Sequence, residues 1–115
     1  MKFKLIAKNK MIGETLLESG DPSMGVAFGE LIPTEEYSKY QSLFEAQDHS
    51  GIKDLNLSIM TETGITLEPV GGIGIEDYSR EMGEQCIQVN VLGIESTVYG
   101  QLFPAHVAAY EAQFK

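Results

Sequence analysis

Short runs of alternating apolar and polar residues, each cut off by glycine, proline or a turn sequence, constrain this chain most. A period of two puts one side chain inward and the next outward, the signature of a strand with one covered face. MKFKLIAK opens the series, with Met1, Phe3 and Leu5 on one side and Lys2 and Lys4 on the other. MIGETLLES reads as a second strand, because GDPS follows with Pro22 at the second position of a tight turn. In MGVAFGELIP, a third strand, Val26, Phe28, Glu30 and Ile32 share one face and Ala27, Gly29 and Leu31 the other.

Pro33 stops that strand, and TEEYSKYQSLFEA reads as a helix. Thr34 is placed to cap it, Glu35 and Glu36 suit its first turn, and Tyr37, Tyr40 and Phe44 form a stripe. DHSG ends the helix, with His49 as a stop residue. DLNLSIM and ITLEPV then form a hairpin-like pair around TETG, where Gly64 supplies a positive φ. The segment from Gly71 to Gln85 reads as a long loop holding a short edge strand. CIQVNVLG and ESTVYGQLFP read as a last strand pair turning near Gly93, and AHVAAYEAQF as a closing helix striped by Val107, Tyr110 and Phe114.

Two hexamers resemble each other: FGELIP at Phe28 to Pro33 and YGQLFP at Tyr99 to Pro104. Both fit a strand ended by proline and followed by a helix, with Gly29 and Gly100 leaving room for that helix to fold back. Shared architecture explains the pair better than a ligand site, because Glu30 is the single ionisable residue in the two. The reading that follows is a single α+β domain over residues 1–115. Its antiparallel sheet, free to curl, has about six to eight strands with two helices on one face. An internal strand–strand–helix duplication is an expectation that a structure tests directly.

Charge carries the functional content. The chain has a net charge of −9, and Lys2, Lys4, Lys8 and Lys10 make up half of its eight basic residues. From Met11 onward four cations stand against all 17 acids, leaving that stretch at −13. Such a field repels nucleic acid and anionic membrane and steers a basic protein. EDYSREMGE gathers Glu76, Asp77, Glu81 and Glu84 around Arg80, with Tyr78 as an aromatic anchor. These five residues are the expected partner-binding surface.

Other chemistry is poorly served. VGGIG at Val70 to Gly74 lacks the spacing of a phosphate loop, and two carboxylates follow it. The alternating acid ladder of a calcium loop is missing from the 76–84 segment. Cys86 is the single cysteine, which precludes an internal disulfide or a cysteine-based zinc cluster, and a lone thiol suits a reducing cytosol. His49 and His106 lie far apart in sequence and compose neither a metal set nor a triad. No catalytic residue, metal or cofactor is therefore expected, and no leader or membrane span is visible.

The leading expectation is a non-enzymatic, cytoplasmic binding or regulatory protein for a basic partner, in the manner of an inhibitor or immunity protein. Two readings stand beside it. One is a structural homo-oligomer that sets its basic first strand against an acidic neighbour. The other is an enzyme whose carboxylates or His106 converge only in the fold.

Overall fold

The structure is a computed structural model that describes residues 2–113. Its chain order is β1 (Phe3–Ala7), β2 (Lys10–Thr15), β3 (Ser19–Asp21) and β4 (Val26–Pro33), then a 3-10 turn (Glu35–Lys39). There follow α1 (Gln41–Glu45), α2 (His49–Lys53), β5 (Ser58–Thr61), β6 (Thr66–Leu67) and β7 (Gly72–Asp77). The rest is α3 (Ser79–Met82), β8 (Ile87–Leu92), α4 (Ser96–Leu102) and α5 (Pro104–Ala112). The fold is α+β: eight antiparallel strands make one curled sheet in the order β6-β5-β1-β2-β4-β8-β7, with β3 also on β4.

The curl has a local cause. Between β2 and β3 the three residues Leu16, Leu17 and Glu18 stand opposite Gly29 and Glu30, since Thr15 pairs with Leu31 and Ser19 with Phe28. Such an extra residue bends a ladder and increases its twist. Leu17 takes it up with φ at 46° while its side chain stays fully buried. The Glu18 carboxylate then accepts the Glu30 N–H at 2.8 Å, replacing the missing ladder bond. Gly29 makes room for this bond, because a Cβ would lie 2.4 Å from a Glu18 carboxylate oxygen and push it aside.

Alternation is honoured in β1, β4 and β8. Phe3, Leu5 and Ala7 are buried in β1, Ala27 and Leu31 in β4, and Val89 and Val91 in β8. Each large side chain so covered contributes about 1.5–3 kcal/mol. Over this face lie two aromatic groups. Phe103, between α4 and α5, stacks on Phe3 at 5.4 Å and on His106 at 5.1 Å. Tyr37 stacks on Phe44 at 5.5 Å, joining the 3-10 turn to α1.

The expected turns form where proline and glycine call for them. Met24 N–H reaches the Asp21 carbonyl at 3.1 Å across Pro22, and Asp21 Oδ1 accepts the Ser23 N–H and hydroxyl. Gly64 has φ at 90° in the β5–β6 turn. The 71–85 segment is more regular than a loop, since β7 pairs with β8 over six residues as an edge strand.

Other expectations are corrected. The helix expected over TEEYSKYQSLFEA is split into the 3-10 turn and α1, whereas the closing helix is continuous as α5. Thr34 does not cap, because its hydroxyl donates to the Met11 carbonyl at 2.8 Å. Gln47, with φ at 53°, turns the chain after α1. His49 does not stop a helix but opens α2, whose first turn is capped by Asp48 accepting the Gly51 N–H at 3.1 Å.

The second hexamer is not a strand. Residues Tyr99–Leu102 lie within α4, which starts where the Glu95 carboxylate accepts the Thr97 and Val98 N–H groups. In the helix Tyr99 and Phe103 fall one turn apart and are buried, while Gln101, which a strand would put on their face, is exposed. The two hexamers therefore share letters and not conformation, and their likeness gives no support to an internal duplication. Gly100 leaves room for nothing, with no atom within 4 Å of where its Cβ would stand. Met1 and Phe114 lie outside the described residues.

Candidate functional site

The acidic segment picked out by its charges ends up on the free edge of the sheet. Strand β7 has β8 on one side, and a groove of about 640 Å³ runs along its other edge and over the open face to Asn90 and Leu92 of β8. Ile73 and Ile75 line this groove from the covered face of β7, and Gly74 and Glu76 from the open face, so it wraps the strand's edge. Glu45, beyond the edge, and Glu81 of α3 add carboxylates, and among the described residues no lysine or arginine lines the groove.

Glu76 is held in place by its neighbours. The Tyr78 hydroxyl donates to Glu76 Oε2 at 2.5 Å, and Asn90 Nδ2 donates to Oε1 at 3.0 Å. Gln88 Nε2 in turn donates to Asn90 Oδ1 at 2.8 Å. The Glu76 carboxylate raises the Tyr78 hydroxyl above its ordinary pKa, first through this hydrogen bond and then through its charge. Tyr78 is about half exposed, so its ring is available to a partner while its hydroxyl fixes Glu76.

Asp77 is used differently. Strand alternation turns it to the covered face, where it is 5% exposed. Its Oδ2 accepts from the Tyr37 hydroxyl at 2.6 Å and Gln41 Nε2 at 3.3 Å, and its Oδ1 from the Ser79 N–H at 2.9 Å. Desolvation pushes its carboxyl up, yet these hydrogen bonds outweigh it and leave the group below the ordinary carboxylate range. Burial, and then Asp77 itself, drive the Tyr37 hydroxyl far above its ordinary value. This acid anchors β7 to the 3-10 turn and α1.

Of the five expected partner residues, then, four line one groove: Glu76, Tyr78 and Glu81, with Asp77 reaching it from the covered side. Glu84 sits beyond Gly83, exposed and outside that lining. Sequence reasoning did not find Glu45 and Ile73, which come from separate elements. It also did not single out a second, shallower groove of about 320 Å³ on the open face of the sheet. There Leu16 and Ile32, each more than half exposed, sit among Glu14, Glu18, Glu30 and Lys2. Glu30 and Glu76 both pair across the ladder with Gln88, so the acidic surface continues from one groove to the other. The shared face of Glu30 and Ile32 was legible; what exposes Leu16 is the bulge.

The remaining candidates for chemistry are tied into the framework. His106 Nε2 lies 2.8 Å from the Leu17 carbonyl, which can only accept, so Nε2 carries a hydrogen. Cys86 is half-buried, and its N–H donates to Ser79 Oγ at 2.9 Å. Among the described residues no group of three or more His, Cys, Asp or Glu side chains is placed to hold a metal ion. Among them, too, no helix is long and apolar enough to cross a membrane.

The chain matches no protein-family model, and neither a curated protein nor a solved structure is matched by it.

Proposed function

We propose that this chain is a non-enzymatic binding module for a cationic protein, acting as a small inhibitor or regulator does. The observation that carries this reading is the groove along β7, with Glu45, Glu76 and Glu81 around isoleucine side chains and neither lysine nor arginine among the described residues of its lining. Apolar contact supplies affinity in such an arrangement, and the carboxylates supply orientation and speed of encounter. The exposed Tyr78 ring is a natural anchor beside it. The −13 balance from Met11 onward extends the same attraction beyond the groove. A free Cys86 suits a reducing compartment, and the cytoplasm is the setting we propose.

Capture from native lysate on the immobilised protein, eluted by a salt gradient, tests the reading. It should be run beside the E76Q/E81Q variant and an E35Q control, which alters an exposed acid of the 3-10 turn. A basic protein is expected to leave the wild type and E35Q at moderate salt and to be missing from E76Q/E81Q. Equal capture by all three, or capture by none, would remove the proposal.

A further inference from the structure

We infer that the partner binds β7 by strand addition: an extended segment of alternating basic and apolar residues completes the sheet along its free edge. This rests on the reading of the groove as an acidic protein-binding surface, and it specifies how that surface is used.

The parity of the ladder shows which main-chain groups are on offer. Tyr78 N–H reaches the Cys86 carbonyl at 2.8 Å, so the residues two and four before it, Glu76 and Gly74, also turn their main-chain groups toward β8. Ile73 and Ile75 turn theirs outward; Ile73 is half-buried in the groove, while Ile75 is buried beneath the Gln47 side chain, which an added strand displaces. Gln47 agrees with this parity: its Nε2 donates to the Ile75 carbonyl at 3.1 Å from the side away from β8. Among the described residues, that side-chain bond is the one that reaches the outward row. The opposite edge of the sheet is β6, only two residues long, so β7 is the edge with length to pair.

The groove also states what side chains the added strand should carry. Those facing the covered side meet Ile73 and Ile75 and favour an apolar residue. Those facing the open side meet Glu76, with Glu81 close by in the lining, and favour lysine or arginine. Gly74 keeps that side open, since the nearest atom to its absent Cβ is Asn90 Nδ2 at 4.0 Å. A second copy of this chain fits less well. Pairing β7 with another β7 would crowd Glu76 and Glu81 of both copies into one groove, and like charges placed opposite each other are destabilising.

Amide NMR on the full chain separates the possibilities, using as probe a short peptide of alternating lysine and valine. A matched peptide carries the same side chains but is N-methylated along its pairing edge. Strand addition is expected to shift the Ile73 and Ile75 amides and slow their exchange, with the N-methylated peptide binding about tenfold or more weakly. The I73P variant, which deletes one outward N–H, should weaken the parent peptide and leave the N-methylated one unchanged. Equal binding of both peptides, with the Ile73 and Ile75 amides unmoved, would overturn strand addition while leaving an acidic binding surface. Failure of both peptides to bind would overturn the two readings together. Protection of those amides before any peptide is added, with a dimer in sedimentation, would give the edge to a second copy and overturn the proposal.

Discussion

The Tyr37 hydroxyl donates a 2.6 Å hydrogen bond to Asp77 across 40 residues of sequence, joining two side chains that are each at least 95% buried. No positive side chain shares in it: the carboxylate is held by a phenol, an amide and a peptide N–H. The edge strand that carries the groove is therefore fastened to the helical layer by neutral donors, whose strength salt does not screen.

Replacing Tyr37 by phenylalanine keeps the ring stack and deprives a buried carboxylate of one donor, so stability should fall by about 1–3 kcal/mol. The loss should vary with pH in a defined way. The Asp77 carboxyl is lowered in the fold, so its stabilisation is complete above about pH 4 and drains away as pH falls. The Tyr37 hydroxyl is raised, so its contribution is complete below about pH 10 and is lost as pH rises further. Urea midpoints across pH should show wild type and Y37F furthest apart near neutrality and converging at both ends. A constant gap would mean that the two groups are not coupled as described.

Opposite outcomes are expected at the two hexamer glycines. Gly29→Ala pushes the Glu18 carboxylate off the Glu30 N–H and should cost about 1 kcal/mol or more. Gly100→Ala sits in open space within α4 and should add about 0.5–1 kcal/mol. An E18A background should shrink the G29A penalty, because the carboxylate is then absent. Thermal unfolding of the four variants decides it, and the same sign at both glycines would contradict the structure.

The β1–β2 hairpin turns on Lys8 and Asn9, both left-handed with φ at 49° and 67°. Two such residues between the paired Ala7 and Lys10 make the turn type that favours Asn-Gly. Lys8→Asn with Asn9→Gly should therefore stabilise the chain by about 0.5–1 kcal/mol. Calorimetry would show a higher Tm, and an unchanged or lower one would place the strain elsewhere.

Alternation located β1, β2, β4, β5 and β8 in the sequence, because burial of one sheet face imposes the period that the residues display. It failed at YGQLFP, where apolar residues at 98, 99, 102 and 103 fit a strand and a helix alike over so short a run. The signal that separates them, Glu95 ahead of Ser96 and Thr97, became a cap only in three dimensions. At Gln47 no signal existed, since glutamine has no special taste for the left-handed region it occupies. The carboxylates at 76 and 81 were visible as a charge run. Their division from Asp77 depended on which face of β7 is covered, and Glu45 reached the groove through packing alone.

The stack of Phe103 on Phe3 has a meaning for synthesis. A ribosome releases Phe3 long before it polymerises Phe103, so β1 must wait for the ring that closes over it. Throughout elongation the Phe3 ring is an unfinished apolar surface, open to a holding chaperone. The arrival of Phe103 at the joint of α4 and α5 takes that ring out of reach, so one of the last residues translated closes over one of the first.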